Sequence, residues 1–486
     1  MRVDENRLGL GRTGMLALAF AAIGIASVGC VVQSEDELSY EDEDLAADVE
    51  GIEAEAAVGE VAVGDEVEDD AVADAEEEEF GTAQQALGTV YKVGPARPYK
   101  NLGQVANLLK PGDVVEVDGN ASYAGGIRFS KHGSASQKIT IRGLRVSGKR
   151  PILSGGTTTV ELAGNHYVFE GFDVTGGSSR CVFHHANNVT IRDSVVHHCP
   201  GHGILGADSD SGSLLMEYVE VHNAGSGTTR HPVYIATDET AFPGSVFRMQ
   251  HCYIHDATGG NAVKSRAERN EIYYNWIEGG HYKELELIGP DGQRENLARE
   301  DGDVVGNVFR KTHNQFVVRV GGDGTGQSWG RYRFSNNTFL LKQGSSAAIH
   351  AFDGIESIEL HNNIFHRVGG GSVQVLRDDG TWTGGSQLVK GVKNATPQGS
   401  AIPAGLTQGV TQDNPGFVNP SARDFRLASS SPLRSVGVNA PATIPGHAFP
   451  TPLARPLFLP PPGNAQASGG AASRPLASII ALGAFE

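Results

Sequence analysis

The chain has 486 residues, with 64 Gly, 22 Pro and a formal net charge of −18. Residues 31–80 contain 22 Asp and Glu and no Lys or Arg, whereas residues 81–486 contain 36 Lys and Arg against 33 Asp and Glu. The acidity therefore belongs to one segment, and the rest of the chain is nearly neutral. A nucleic-acid-binding surface needs concentrated positive charge, so this composition argues against a nucleic-acid partner.

The first thirty residues have the pattern of an export signal. A positively charged start precedes the apolar run 15–26, and small residues then lead to Cys30. The run is short for a transmembrane helix, so we interpret residues 1–29 as a cleaved signal peptide, with an uncleaved anchor as the alternative. Gly-Cys at the end of this segment resembles the lipobox of bacterial lipoproteins. That resemblance implies a lipid on Cys30, export to an outer membrane or cell surface, and membrane contact through the lipid alone.

Residues 30–88 are predicted to be a disordered acidic linker. They are rich in carboxylates and poor in aromatic residues, so they cannot bury a core and their charges repel one another. The four consecutive Glu at 76–79 are interpreted as solvated chain rather than as a calcium site.

A short sequence pattern recurs along the rest of the chain. It consists of an apolar residue, two variable residues, a position that is often Asn, one further residue and a second apolar residue. Clear copies centre on Asn275, Asn307, Asn337 and Asn363. Short apolar alternation bounded by Gly, Asn and Asp predicts short strands and turns. We therefore predict an all-β parallel solenoid, in which each coil pairs with its neighbours and one column of Asn side chains stacks. A propeller or a sandwich is the alternative, but the tight hairpin signals that both require are scarce.

These phrases resemble the coils of right-handed parallel β-helix proteins of the pectate-lyase type. The likeness rests on HNNIF, SNNTF and YYNWI, on the opening GDVVEVDGNASYAGGIRF and on the ending DNPGFVNPSARDFRLASSSPLRSVG. It implies a right-handed parallel β-helix over residues 89–430, with a short capping helix near its N-terminal end, and a Pro-rich C-terminal cap over residues 431–486. The superfamily holds lyases, hydrolases, epimerases and non-enzymatic adhesins, so the fold does not fix the activity.

Three cysteines remain once Cys30 is assigned to the lipid. An exported protein can form disulfides, and Cys181 and Cys199 lie about one repeat apart. The sequence leaves a bridge between them open, with Cys252 as the third thiol.

The second strand of each predicted coil should carry one outward wall of polar residues. Apolar residues of these strands should face the core and their neighbours should face outward, and successive coils lie about 4.8 Å apart. The outward residues in neighbouring coils are Tyr234, then Lys264 and Arg266, then Glu284 and Glu286, then Arg319, then His350, with His231 and Asn261 at the entrances of the same strands.

Such a wall suits β-elimination on an acidic polysaccharide. A polysaccharide lyase must neutralise a uronate carboxylate, remove the C5 proton and protonate the leaving oxygen. Lys264 beside Arg266 fits a base whose charged form is disfavoured by a neighbouring like charge. The predicted catalytic residues are Lys264, Arg266, Arg319 and Glu286, and the predicted substrate-binding residues are Tyr234, His231 and His350.

Oxygen donors in the same wall suggest a calcium ion. Asn261, Glu284 and Glu286 are the predicted ligands, since calcium prefers carboxylate and amide oxygens. These residues also resemble the alginate lyase and chondroitinase B group, in which a Lys base and an Arg acid lie near a calcium held by Asn and paired Glu. The resemblance implies Lys264 as base and Arg319 as acid, although here the Glu pair lies between the Lys coil and the Arg coil.

Two other interpretations compete with a lyase. The cationic and carboxylate strands of the wall could form a ladder of surface ion pairs, each worth about 0–1 kcal/mol, in a non-catalytic carbohydrate-binding or adhesive protein. A glycoside hydrolase with paired carboxylates among Glu284, Glu286, Asp301 and Asp303 is a lesser alternative. The expected partner is an acidic polysaccharide, and we expect the chain to act as a monomer.

Overall fold

The computed structural model describes residues 88–289, 300–323, 328–382, 387–438, 455–475 and 479–486. The predicted signal peptide, Cys30 and nearly all of the predicted linker 30–88 lie outside the described residues. The predictions of lipidation and export therefore stay predictions.

Each coil of the described chain contributes strands to three long parallel sheets, named here sheets A, B and C. The thirteen strands of sheet A are Val90–Val93, Val114–Asp118, Ile139–Leu144, Tyr167–Glu170, Val189–Arg192, Leu214–Glu217, Val246–Gln250, Arg269–Tyr273, Asp301–Val305, Gly330–Ser335, Ile355–His361, Val389–Val392 and Leu406–Thr407. The twelve strands of sheet B are Ser122–Ala124, Ile152–Ser154, Asp173–Thr175, Val195–Cys199, Glu220–Ala224, Tyr253–His255, Trp276–Glu278, Val308–Arg310, Thr338–Leu341, Ile364–Arg367, Ala395–Thr396 and Val410–Thr411. The ten strands of sheet C are Ile127–Phe129, Thr158–Leu162, Arg180–His184, His202–Gly206, Val233–Ala236, Val263–Arg266, Leu285–Ile288, Val318–Gly321, Ile349–Ala351 and Leu376–Asp378.

Neighbouring strands in every one of these sheets follow each other in chain order, so the coils stack in sequence. The chain is therefore a right-handed parallel β-helix, which confirms the predicted fold class. The interior is filled by aromatic and aliphatic side chains. Phe309, Phe339 and Phe365 stack on one another in successive coils, with ring centroids 5.2 and 4.7 Å apart.

The predicted column of stacked asparagines is present at one turn of the solenoid. Asn307 Oδ1 accepts from the backbone N–H of Asn275 at 2.8 Å and from its Nδ2 at 3.0 Å. The same contacts link Asn307 to Asn337, Asn337 to Asn363 and Asn363 to Asn394. Each amide thus satisfies buried backbone groups of the preceding coil and bonds the Asn side chain of the next coil, which the recurring Asn of the sequence predicts.

A short 3-10 helix, Leu102–Gln104, lies at the N-terminal end of the solenoid. Asn101 and Gln104 form a reciprocal capping box, in which each side chain accepts from the other's backbone N–H. Leu102 and Val105 are buried against the first coils. The predicted N-terminal capping helix is therefore present, as a single turn.

The described C-terminal residues pack on the outer face of sheet B. They include an antiparallel pair, Phe417–Asn419 and Asp424–Leu427, and the 3-10 helices Pro420–Ala422 and Pro432–Ser435. A second buried cluster joins Trp276 of sheet B to these residues and to the chain end.

Cys181 and Cys199 form a disulfide, with their Cα atoms 5.8 Å apart. Cys252 is free and buried, and burial raises the pKa of its thiol to about 12. This thiol therefore stays protonated at neutral pH. No helix in the described part of the chain has the length and apolar character needed to cross a membrane.

We expect His184 to make the fold sensitive to acid. His184 is fully buried, and burial lowers its pKa to about 4. Between about pH 6.5 and 4, His184 binds a proton in the unfolded chain but not in the folded chain. The folded state therefore keeps its full stability above pH 6.5 and loses stability as the pH falls towards 4. The Tm of wild type, relative to that of His184→Gln, should fall as the pH is lowered through this range. A difference in Tm that does not change with pH would contradict the prediction.

Candidate functional site

The outward residues predicted to form one wall lie in a single register column on sheet C. From coil to coil the column runs through Tyr234, Lys264, Glu286, Arg319 and His350. The strands pair in register, so a single outward position in each coil is enough to align the five side chains. We call these five residues the sheet C column.

The column faces outward from the coils but is not open to solvent. Tyr234 and Lys264 are each 5% exposed, Glu286 is 0% exposed and Arg319 is 7% exposed. The alternative of a surface ion-pair ladder is therefore wrong in placing these ion pairs on the exposed surface. Removing one partner from a buried pair costs about 3–5 kcal/mol, because the remaining charge is left desolvated, whereas a surface pair is worth about 0–1 kcal/mol.

The carboxylate of Glu286 is the anionic centre of the column. Arg319 Nη1 and Lys283 Nζ lie 3.2 and 3.3 Å from Glu286 Oε1, and Lys264 Nζ lies 3.9 Å from Oε2. Burial opposes ionisation of Glu286, but the charges of Lys283, Arg319 and Lys264 outweigh burial and lower its pKa. Three basic side chains thus converge on one buried carboxylate.

Lys264 lies between Tyr234 and Glu286. Its Nζ is 5.2 Å from the centroid of the Tyr234 ring, and its distance of 3.9 Å to Glu286 is longer than a hydrogen bond. The amino group is therefore close to a carboxylate without being tied to it by a short ion pair.

His231 lies at the entrance to the same part of sheet C. Its Nδ1 accepts from the backbone N–H of Asn261 at 2.8 Å, and the backbone N–H of His231 donates to His202 Nδ1 at 3.1 Å. Burial, assisted by the charge of Lys264, lowers the pKa of His231 well below 6.5. The ring is therefore neutral, with its proton on Nε2, and it can donate a hydrogen bond but not accept a proton there.

Arg266, predicted to be catalytic, is engaged by other groups. Its Nε donates to the hydroxyl of Tyr234 at 2.9 Å. Its Nη1 and Nη2 donate to Gly289 O and Asp323 Oδ2, both at 2.5 Å. These contacts make Arg266 a positioning residue that orients Tyr234.

At the far end of the column, His350 and Arg319 are held by aromatic rings. His350 stacks on Phe316 with centroids 4.1 Å apart, and its Nε2 lies 3.0 Å from Asp379 Oδ2. Burial and the charge of Arg319 lower the pKa of His350 to about 4. The Arg319 guanidinium lies 4.5 Å from the ring centroid of Phe352, which fixes its plane next to Glu286.

Glu284 does not join Glu286, contrary to prediction. It precedes the strand Leu285–Ile288, and its N–H donates to the carbonyl of Val317, which belongs to the buried core. Its carboxylate is fully buried 3.0 Å from Lys311 Nζ, and burial raises its pKa to about 7 against the charge of Lys311. The predicted outward orientation of the Glu284 side chain is wrong because Glu284 lies in the turn, where the alternation of inward and outward side chains along a strand does not apply.

The predicted calcium ligands do not fit calcium as they are placed. Asn261 turns its Nδ2 toward Glu286 at 2.7 Å, while its Oδ1 accepts from the backbone of Lys283. Glu286 already faces three cations, and Glu284 faces Lys311. Calcium takes about 6–8 oxygen ligands, and nowhere in the described ranges do three His, Cys, Asp or Glu side chains converge to hold a metal ion.

The other predicted carboxylates lie on a different sheet. Asp301 and Asp303 belong to the sheet A strand Asp301–Val305, where they pair with Arg331 and Arg333 at 2.5 and 2.7 Å. The structure therefore does not bring them together with Glu286.

Sequence reasoning missed Lys283, Lys311 and Asp323. Each lies in a turn or just beyond a strand, where alternation gives no side-chain direction. The only available signal for Lys283 is its spacing of three residues from Glu286.

No family model and no curated protein matches the chain. Among solved structures, the chain is similar to the pectate lyase Pel9A, at 11% identity over 82% of this chain and 97% of the other, with a TM-score of 0.46. It is similar to an alginate lyase from Paenibacillus sp. str. FPU-7, at 17% identity over 59% and 96% of the two chains, with a TM-score of 0.35. It is also similar to the PL6 family alginate lyase AlyGC, at 15% identity over 74% and 60%, with a TM-score of 0.39. At such low identity the likeness is one of fold and says nothing of the reaction.

Proposed function

We propose that the chain binds an acidic polysaccharide at the sheet C column and cleaves it by β-elimination. The observation that carries the proposal is the convergence of Lys264, Lys283 and Arg319 on the buried carboxylate of Glu286. Buried cationic side chains are stabilised by an anion that pairs with them. A uronate carboxylate is an anion of the right kind, because Arg binds carboxylates through two parallel hydrogen bonds.

The column supplies groups for each part of the reaction. Arg319 and Lys283 would neutralise the uronate carboxylate, which makes the C5 proton more acidic. The amine of Lys264 takes that proton, the C5–H electron pair forms the C4–C5 double bond, and the C4–O bond breaks. The leaving oxygen takes a proton from the hydroxyl of Tyr234. Arg266 Nε donates a hydrogen bond to the hydroxyl oxygen of Tyr234 at 2.9 Å. The O–H of Tyr234 therefore remains free to donate, and Arg266 stabilises the phenolate that forms.

A non-catalytic glycan-binding protein is the second candidate function. The observation that favours it is the small exposure of Lys264 and Arg319, 5 and 7%, which limits a polysaccharide to contact with the side-chain tips. Such contact suffices for recognition of a carboxylate, whereas proton removal needs Lys264 within hydrogen-bond reach of C5.

The two functions are separated by incubating the full chain with alginate, polygalacturonate and glycosaminoglycans. Cleavage is followed by the ultraviolet absorbance of unsaturated uronate, and binding by affinity electrophoresis, with a neutral glucan as control. The lyase proposal predicts both binding and an absorbing product with at least one uronate polymer. Binding without product would establish the second candidate, and the absence of both would contradict the two together.

A further inference from the structure

The turn that carries Lys283 is held from the next coil by a buried lysine. This turn, residues 279–284, joins a sheet B strand to the sheet C strand Leu285–Ile288. Lys311 directly follows the strand Val308–Arg310, which pairs with the strand before this turn. Lys311 and the turn therefore lie next to each other on adjacent coils, at the corner between sheets B and C.

The amino group of Lys311 contacts acceptors of that turn. Its Nζ donates to the carbonyl of Tyr282 and to the carbonyl of Gly280, the latter at 3.4 Å. The same Nζ lies 3.0 Å from Glu284 Oε2, and the side chains of Lys311 and Glu284 are both 0% exposed. One amino group thus fixes the chain on both sides of Lys283.

Lys283 itself is attached to the preceding coil. Its backbone N–H donates to Asn261 Oδ1 at 3.1 Å, and its carbonyl accepts from the backbone N–H of Ala262 at 2.9 Å. Its side chain is 12% exposed and places Nζ 3.3 Å from Glu286 Oε1. Because the backbone of Lys283 is held by the preceding coil and its neighbours by Lys311, the place of its amino group depends on both coils.

Stability alone does not explain an ion pair at this corner. Taking two charges out of water costs about as much free energy as their attraction returns, so replacing a buried pair by apolar residues is often neutral or stabilising. The pair between Lys311 and Glu284 is better explained by what it touches, namely the backbone on either side of Lys283.

We propose that Lys311, paired with Glu284, is a positioning residue that places the amino group of Lys283 for a substrate carboxylate. Lys311 acts through Lys283 and does not touch the substrate, since its own side chain is 0% exposed. The identity of that carboxylate as a uronate rests on the proposed function, whereas the placement of Lys283 does not.

The first test measures the placement of Lys283 without any substrate. The full chain is methylated with formaldehyde and a reductant, and the modification of each lysine is followed by mass spectrometry. Lys283 should react severalfold faster in Lys311→Met than in wild type, relative to the exposed Lys149 of the same sample, because its amino group leaves Glu286. Lys342→Met changes an exposed lysine one coil further on and should leave the rate at Lys283 unchanged.

A second variant guards against loss of the fold. Lys311→Met combined with Glu284→Gln leaves no unpaired buried charge, so its Tm should stay close to that of wild type. The faster methylation of Lys283 should persist in this variant, because the contacts of Lys311 with the turn are still absent.

The second test measures binding of the uronate polymers by affinity electrophoresis. Lys311→Met and Lys283→Met should each weaken binding by about 10-fold or more, the loss expected when one contact to a charged group is removed. In the Lys283→Met background, Lys311→Met should cause no further loss, because a residue that acts through Lys283 has no effect once Lys283 is gone. A merely structural role would lower Tm without producing this non-additivity.

Two results would overturn the proposal. The first is an unchanged rate of methylation at Lys283 in both variants, whatever the protein binds. The second is a loss of binding that adds in full to that of Lys283→Met. Faster methylation of Lys283 in a chain that binds no uronate polymer would support the positioning role and contradict the proposed function.

Discussion

Replacing Lys264 with Met should reduce product formation by at least about 100-fold, because a general base contributes about 10²–10⁴-fold to such a reaction. Met retains most of the stem that packs on Tyr234 but cannot take the C5 proton. Lys283 and Arg319 remain within 3.3 Å of Glu286, so its carboxylate stays paired and Tm should change little. Steady-state rates with the most active uronate polymer, together with thermal unfolding, measure both effects.

Two companion variants sharpen this experiment. Lys149→Met changes an exposed lysine far from the column, and its rate should equal that of wild type. Tyr234→Phe removes the proposed proton donor but keeps the ring next to Lys264, so kcat should fall while KM is retained. Full activity in Lys264→Met would end the assignment of the base, and a loss of Tm without loss of rate would make Lys264 a structural residue.

Replacing Asn307 with Ala should destabilise the solenoid by about 3 kcal/mol or more, since each buried polar group left unsatisfied costs about 1–3 kcal/mol. Asn307 Oδ1 accepts two hydrogen bonds from Asn275, and its Nδ2 donates to Ile272 O at 2.8 Å and to Asn337 Oδ1 at 3.0 Å. Alanine removes all four contacts inside a buried turn.

The free energy of unfolding in denaturant measures this loss. The matched control is Asn107→Ala, because Asn107 is exposed and the substitution there should cost about 0.5 kcal/mol or less. Equal stability of Asn307→Ala and wild type would show that the column of asparagines follows from the fold without contributing to its stability.

The fold follows from the sequence because a solenoid repeats its constraints in every coil. A buried Asn at one turn must satisfy the backbone of the preceding coil, so Asn275, Asn307, Asn337 and Asn363 recur in the sequence at the interval of one coil. The same repetition aligns Lys264 with Glu286 and Arg319, since inward Val and Leu fix the direction of each neighbour.

The rest of the site could not be predicted because it depends on turns and on distant parts of the chain. Alternation within a strand gave no direction to Glu284 or Lys283, which precede the strand Leu285–Ile288. Arg266 is engaged by Asp323, 57 residues away, and this contact cannot be inferred from the spacing of repeats. The burial of the column likewise depends on the packing around it and not on the outward direction of its strands.

The most direct test of the proposed reaction is the mass of the product formed in water enriched in heavy oxygen. β-Elimination breaks the C4–O bond without adding water, whereas hydrolysis adds one water molecule to each cleaved bond. Wild type should yield fragments whose new non-reducing end is an unsaturated uronate without heavy oxygen, and Lys264→Met should yield almost none. Fragments whose new non-reducing ends are saturated, or equal amounts of product from wild type and Lys264→Met, would contradict β-elimination with Lys264 as the base.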